Sequence, residues 1–245
     1  PIHPNDYVEW FYDVQQNIKT NLAECGSWFL NIKEHCEDGE RSLYVKDLTL
    51  AHCRLWNWKF VDEFVWTHGG TPKAVKQRFK NGWEPIFHFA KARHKFRPDS
   101  VMHETKNVPD WNGAHPNAEH LQGNNKQHRE IAFGDSQGST KGATGGYYPD
   151  MAYPSNVLSL GKNREALGHS AAYPLKLPTF FINAYSDEND LVYDPFLGSG
   201  TTLIAAEQLN RVCFGMEISP AYCDVIVKRW ENLTGKKAKK EKQNG

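Results

Sequence analysis

Residues 191–217, LVYDPFLGSGTTLIAAEQLNRVCFGME, restrict what this chain can fold into more than any other stretch. An apolar run, Leu191-Val192-Tyr193, ends in Asp194, and a turn built on Gly198-Ser199-Gly200 follows. A helical stretch comes next, then a second apolar run that ends in Glu217. This is the strand, glycine loop, helix, strand, acid layout of a nucleotide-type binding unit in an α/β fold. Glycines let the backbone approach a ligand closely, and an acid at the end of the second strand can accept two ribose hydroxyls. No Lys follows the loop as in a phosphate-binding Walker motif, so the spacing suits an adenosine without phosphates.

The rest of the chain supplies further elements. Tyr7, Trp10, Phe11, Val14, Ile18 and Leu22 recur at spacings of three and four, which predicts an amphipathic helix over 5–23 with Asn5 or Asp6 as N-cap. Gly26 opens a strand from Ser27 to Ile32, residues 37–41 make a turn, and Ser42 to Trp56 reads as a second helix. Phe60 to Thr67 and Pro85 to Ala90, rich in β-branched and aromatic residues, read as paired strands. From Phe96 to Leu167 no period holds; Gly, Asn, Gln, Ser and His crowd 112–146, the mark of a functional or disordered loop. Order returns at Tyr153 to Leu158. Pro174 to Tyr185 is then a helix, 191–194 a strand, 200–210 a helix and 212–217 a strand. Ser219-Pro220 signals a last helix running to Leu233, and the charged tail from Lys236 reads as solvated disorder.

The string Asp194-Pro195-Phe196-Leu197-Gly198-Ser199-Gly200-Thr201-Thr202, with Ala205-Ala206, Arg211, Gly215, Glu217 and Tyr222, resembles the S-adenosylmethionine site of DNA amino-methyltransferases. That family methylates the exocyclic N4 of cytosine or N6 of adenine. His169-Ser170-Ala171-Ala172-Tyr173-Pro174, then Leu177-Pro178 and Phe181-Ile182, is similar to the family segment that closes over the methionine end of the cofactor. Asn189-Asp190 stands where the family usually has Gly-Asp. The resemblance implies a doubly wound Rossmann-like sheet with helices on both faces, circularly permuted so that the base-side half comes first. The expected organisation is a base-side half over 1–95, a partly disordered target-recognition insert over 96–167, a cofactor half over 168–235 and a disordered basic tail over 236–245.

By the same resemblance, Glu217 would hold the ribose hydroxyls, Phe196, Gly198, Ser199 and Gly200 would pass under the methionine moiety, and Asp194 would contact its amino group. Thr201 and Thr202 would cap the helix or touch the ligand, and helix capping alone explains them adequately. Tyr173 and Pro174 would pack over the cofactor, or serve only as ordinary helix-start packing. Trp66 is a candidate to stack on a flipped base, against a reading as a core tryptophan on a strand. In the insert, Asn, Gln, Arg and His can read base edges.

Composition bounds the partners. The 245 residues carry 29 basic and 29 acidic side chains, so net charge gives no argument for nucleic acid. The distribution does: Lys73, Lys76, Arg78, Lys80, Lys91, Arg93, Lys95 and Arg97 face a single acid, Glu84, between 73 and 97. Such a cluster can track the backbone of double-stranded DNA, or be a solvated face with counter-charges across the fold. No apolar run approaches the roughly 20 residues that span a bilayer, and no signal pattern opens the chain, which predicts no membrane association. The five cysteines have no CxxC spacing, so reduced thiols and no metal are expected. Taken with the family resemblance, these features imply a cytoplasmic, nucleoid-associated protein of prokaryotic or phage origin. The resemblance also offers a homodimer and a cognate restriction enzyme as partners.

One family element is missing. The Ser/Asp/Asn-Pro-Pro-aromatic tetrapeptide that holds the target amine occurs nowhere in the chain; Asn107-Val108-Pro109-Asp110-Trp111 and Tyr148-Pro149-Asp150 are the nearest strings. The third and fourth strands of a doubly wound sheet are also not found after Glu217. In the permuted order these pieces come first, which places the catalytic residues upstream of Pro1, within about 30–50 further residues at ordinary strand and helix lengths. Asp6-Tyr7-Val8-Glu9-Trp10-Phe11, Gly26 to Glu34, Gly39-Glu40-Arg41, Phe64-Val65-Trp66, Arg78-Phe79, Trp83-Glu84 and Pro154 to Leu158 resemble the branch whose tetrapeptide is Ser-Pro-Pro-Tyr. That branch is associated with N4-cytosine, which makes cytosine the favoured target and N6-adenine the alternative. Two other readings stay open: a methyltransferase of the same fold acting on RNA or protein, and a non-catalytic module that binds DNA or the cofactor.

Overall fold

The computed structural model describes residues 2–68, 79, 81–104, 151–161 and 173–241. The predicted elements form where the periodicity puts them, and most are slightly shorter at their ends. Helix α1 spans Tyr7–Asn21, strand β1 Ser27–Asn31, helix α2 Tyr44–Arg54, strand β4 Lys59–Thr67 and strand β5 Trp83–Ala90. The turn expected at 37–41 is the tip of a small hairpin, β2 (Cys36–Glu37) with β3 (Glu40–Arg41). Its two central residues, Asp38 and Gly39, both have positive φ, the requirement of a tight hairpin turn. Neither predicted N-cap caps α1 through its side chain; His3 Nδ1 instead accepts the Asn5 amide of a short 3-10 turn, Pro4–Asp6, that leads into the helix.

With a short strand β8 (Val157–Ser159), three of these strands form a four-stranded sheet ordered β1-β5-β4-β8. β5 pairs antiparallel with β1, Phe29 opposite His88, and antiparallel with β4, Phe64 opposite Ile86. β8 runs parallel to the end of β4, at a place where sequence periodicity gives no strand. Alternation along the strands sends two different sets of side chains to the two faces. Trp28, Leu30, Phe87 and Phe89 pack with Ile18 of α1 and Val45 of α2 on one side. Phe29, Phe64, Trp66 and Ile86 pack on the other against helix α3 (Lys176–Tyr185) through Leu177 and Phe181. Phe181 stacks on Phe29 at 4.3 Å between ring centroids.

The glycine-loop unit folds as expected: strand β9 (Leu191–Asp194), helix α4 (Thr201–Gln208) and strand β10 (Val212–Gly215), the two strands parallel. Helix α5 (Pro220–Thr234) closes the chain, with Pro220 at its first turn. Val192 and Cys213 turn inward against Ile182 of α3 and Ala205 and Ala206 of α4. The opposite face of the pair is bare among the described residues: Leu191, Tyr193, Val212 and Phe214 are all exposed. Parallel strands are ordinarily covered on both faces. The sheet edges are also open. Among the described residues β1 pairs only with β5 and β9 only with β10, while α3 packs on both through Phe181 and Ile182.

Residues 102–154 form a separate compact unit, of which the described part is a two-stranded pairing of β6 (His103–Glu104) with β7 (Met151–Ala152). No helix among the described residues is long and apolar enough to cross a membrane. At the far end, Lys236 to Glu241 forms no helix or strand, and Lys237 pairs with Glu231 at 2.9 Å.

Candidate active site

The loop after β9 is stitched to the end of β10 by backbone bonds: Leu197 N–H to Met216 O at 2.9 Å and Met216 N–H to Asp194 O at 3.0 Å. Gly198 and Gly200 take left-handed φ values of 55° and 81°, so the chain reverses and enters α4 within three residues. Gly215 is dictated by space. A Cβ there would lie 2.5 Å from a Leu197 methyl, so the loop packs onto β10 only because that residue has no side chain.

Two carboxylates flank this loop. Glu217 Oε2 accepts the Gly198 amide and Oε1 the Ser219 amide, both at 2.8 Å. Each oxygen has a second lone-pair direction, so the side chain is held in place while keeping acceptor capacity for a diol. Asp194 Oδ1 accepts the Phe196 amide at 3.0 Å, and Oδ2 accepts the Thr202 hydroxyl at 2.6 Å. The Tyr173 hydroxyl donates in turn to Thr202 Oγ1 at 2.7 Å. Burial, and then the nearby Asp194, push the Tyr173 phenol well above its ordinary value, so it stays a neutral donor. The same causes push the Cys213 thiol up to about 12. Neither threonine caps α4. Gly200 is the N-cap, Thr201 is buried, and Thr202 serves the Asp194 carboxylate.

The loop therefore gathers Tyr173, Asp194, Phe196, Gly198, Ser199, Gly200, Thr202 and Glu217 around one backbone turn. Pro174 lies two residues before α3, and its carbonyl accepts the Leu177 amide at 2.9 Å. Two residues escaped the sequence reading. Ile218 is 98% exposed beside Glu217, an apolar surface next to the carboxylate. Arg229 of α5 donates to the Ser199 carbonyl at 2.5 Å. Only the helix face that α5 turns to the loop reveals it, and that face is set by packing.

A profile of the N6/N4 methyltransferase family, described as DNA methylase, matches residues 2–228. The chain belongs to that family. This DNA methyltransferase is 28% identical to the orphan methyltransferase M.BamHII of Bacillus amyloliquefaciens, over 93% of this chain and 83% of that protein. It is 31% identical to the Type II methyltransferase M.BglII of Bacillus subtilis, over 90% of this chain and 56% of that protein. Among solved structures it superposes on the cytosine-N4-specific PvuII DNA methyltransferase with a TM-score of 0.66 at 19% identity, covering 96% of this chain and 77% of that one. It also superposes on a DNA modification methylase of Thermus thermophilus solved in complex with S-adenosyl-L-methionine (TM-score 0.57, 18% identity, 94% and 80% covered). The α/β fold of this methyltransferase is thus Rossmann-like.

The expected DNA-facing residues fare differently. Trp66 is 3% exposed in the sheet–α3 core, with its indole N–H given to Leu160 O at 2.7 Å, so it has no open face for a base. A strand of alternating pattern turned it inward with Phe64. Lys73, Lys76, Arg78 and Lys80 lie outside the described residues. Farther along the basic run, Lys91 pairs with Glu24, Lys95 with Asp187 and Asp190, and Arg97 with Asp187. These cations have counter-charges across the fold. Hydrogen bonds from Lys95 and Arg97 hold the Asp187 carboxyl below its usual range.

Proposed function

We propose that this methyltransferase moves a methyl group from S-adenosylmethionine to the exocyclic amine of a base flipped out of duplex DNA, with N4 of cytosine the favoured target. The observation that carries the reading is the Glu217 carboxylate held by the Gly198 and Ser219 amides at the end of β10. The donor set fits this cofactor. Glu217 would accept the two ribose hydroxyls, Ile218 would present an apolar side to the adenine, and Asp194 would accept the methionine ammonium. Tyr173 and Thr202 keep Asp194 oriented, and the Arg229 guanidinium beside the loop is directed at the Ser199 carbonyl. N4-cytosine is supported by the segments like those of the Ser-Pro-Pro-Tyr branch and by the likeness to the PvuII enzyme, which is cytosine-N4-specific.

When bound, the sulfonium supplies an activated methyl for in-line displacement. The target amine is a weak nucleophile because its lone pair is conjugated with the ring, so catalysis rests on positioning and hydrogen bonding. Extruding the base costs a few kcal/mol, about the energy of unstacking and unpairing it. The amine pocket belongs to the tetrapeptide that residues 1–245 lack. The open edges of β1 and β9, with α3 packed on both, would suit a strand carrying it. The unit of residues 102–154 is the candidate to read the target sequence.

Incubation of the native polypeptide with methyl-labelled S-adenosylmethionine and duplexes that offer only cytosine or only adenine amines tests this. Label in the cytosine duplex is expected. Label confined to the adenine duplex reassigns the base, and label in RNA alone overturns the DNA reading. Cofactor uptake without any transfer favours the non-catalytic module, a reading the missing tetrapeptide supports.

A further inference from the structure

We propose that Arg229 is a positioning residue for the cofactor cradle, fixing the Ser199–Gly200 peptide beneath the amino-acid end of S-adenosylmethionine. The proposal rests on the reading of the cradle given above. Arg229 Nη1 donates to the Ser199 carbonyl at 2.5 Å and lies 3.3 Å from Ser199 Oγ and 3.4 Å from Thr201 Oγ1. Among the described residues its hydrogen-bond partners are all oxygens of the loop, and none is a carboxylate.

The peptide it holds ends at one of the loop's two glycines of positive φ. Gly198 and Gly200 both sit at positive φ, and residues of this kind exchange backbone conformations at little steric cost. Arg229 holds the carbonyl of the Ser199–Gly200 peptide while Leu197 O accepts its amide at 2.9 Å. With both ends bonded, the loop keeps one shape before a ligand arrives, and binding does not have to supply that order.

Helix α5 is built to deliver this bond. Cys223, Ile226, Arg229 and Trp230 fall on one helical face. Cys223 Sγ lies 3.6 Å from the Glu217 carbonyl, and Trp230 Nε1 donates to Glu207 of α4 at 3.1 Å. Ile226 packs so closely on Gly200 that a Cβ there would sit 3.0 Å from its Cγ1. One face thus touches the acid, the loop and the helix after the loop, and Arg229 is its polar contact with the loop backbone.

On the cradle reading the Ser199 peptide would lie on the methionine side and Glu217 on the ribose side, which gives the proposal a specific signature. Calorimetry should find that Arg229→Met weakens S-adenosylmethionine binding about tenfold or more while adenosine binding changes less than about threefold. All three contacts come from one nitrogen, so Arg229→Lys should restore S-adenosylmethionine affinity to within about threefold of the parent. Amide exchange across 196–203 should quicken in Arg229→Met and stay slow across β5. Should Arg229→Met not melt cooperatively, Arg229→Gln is compared with Arg229→Lys under the same criteria. The proposal is overturned by a neutral variant that binds S-adenosylmethionine as the parent does, or by equal losses for both ligands that Lys fails to rescue. A parent protein that binds neither ligand removes the cradle reading itself, and this inference with it.

Discussion

Glu217 bridges the amides of Gly198 and Ser219, so one carboxylate joins the glycine loop to the start of α5. Glu217→Ala removes an acceptor from two backbone donors and from the expected ribose diol. Loss of hydrogen bonds to a charged group costs about 1.5–3 kcal/mol each, so S-adenosylmethionine affinity should drop at least about tenfold. Glu217→Gln, which retains one acceptor oxygen, should lose less. Isothermal calorimetry decides, and unchanged uptake by the alanine variant ends the proposed cradle.

The Tyr173–Thr202–Asp194 chain makes a non-additive prediction. Tyr173→Phe removes one donor and should cost about 1 kcal/mol of stability. Thr202→Val deprives Asp194 of its hydroxyl donor and leaves the Tyr173 hydroxyl without its closest partner, at a cost of about 1–3 kcal/mol. The double variant should lose less than the sum, because the two removals share one network. Chemical denaturation of all four proteins checks this; strict additivity would contradict it.

Gly200→Ala combines two penalties. Its φ of +81° is disfavoured for alanine, and the new methyl would press on Ile226. A loss of about 1–3 kcal/mol is expected. Adding Ile226→Val should return part of it by relieving the contact, leaving the backbone component, as a melting series would reveal.

Stability should decline in mild acid. Burial holds His52 down to about 4, against the opposing backbone bond to Leu48, and burial with nearby His94 holds His88 down to about 3. Unfolded, both imidazoles protonate near the ordinary value of 6.5. Below that pH the unfolded chain therefore binds more protons than the folded one, and stability falls as pH drops, until the folded values are reached. The slope is about 1.4 kcal/mol per pH unit per histidine. Denaturation midpoints measured from about pH 7 down to about pH 4 check it, and a His52→Phe variant should show a shallower decline.

Trp66→Phe should act on the fold and leave DNA contacts alone. The change leaves the Leu160 carbonyl short of a donor and opens a small void, costing about 1–3 kcal/mol. DNA affinity of the folded variant, measured by fluorescence anisotropy below its melting temperature, should match the parent. A selective loss of DNA binding at full stability would restore a contact role.

Local sequence made much of the fold legible. Helical spacing of Tyr7 through Ile18, the β-branched and aromatic runs of β4 and β5, and Pro220 at the start of α5 are short-range signals, and each produced its element. β8 escaped because three residues carry no period; it exists through its pairing with Val65 to Thr67, some 90 positions away in the chain, a non-local contact that no sequence window contains. Asp6 and Ser219 were sound cap residues by type, yet neither side chain caps. Backbone carbonyls take the first amides instead: Pro4 O accepts the Tyr7 amide, and Ser219 O accepts those of Tyr222 and Cys223.

The order of elements from β9 to Glu217 was determined by the sequence, because a glycine loop between two apolar runs leaves the backbone few other paths. Which side chains surround that loop was decided only by tertiary structure. Tyr173 reaches Asp194 both through Thr202 and by a longer direct bond, and Arg229 reaches Ser199 from a helix face whose choice depends on what it packs against. The same holds for Trp66, whose identity fits either a core or a base platform. Burial beside Phe64 and a bond to Leu160 settled it, since packing and hydrogen-bond satisfaction are properties of the assembled chain and not of any window within it.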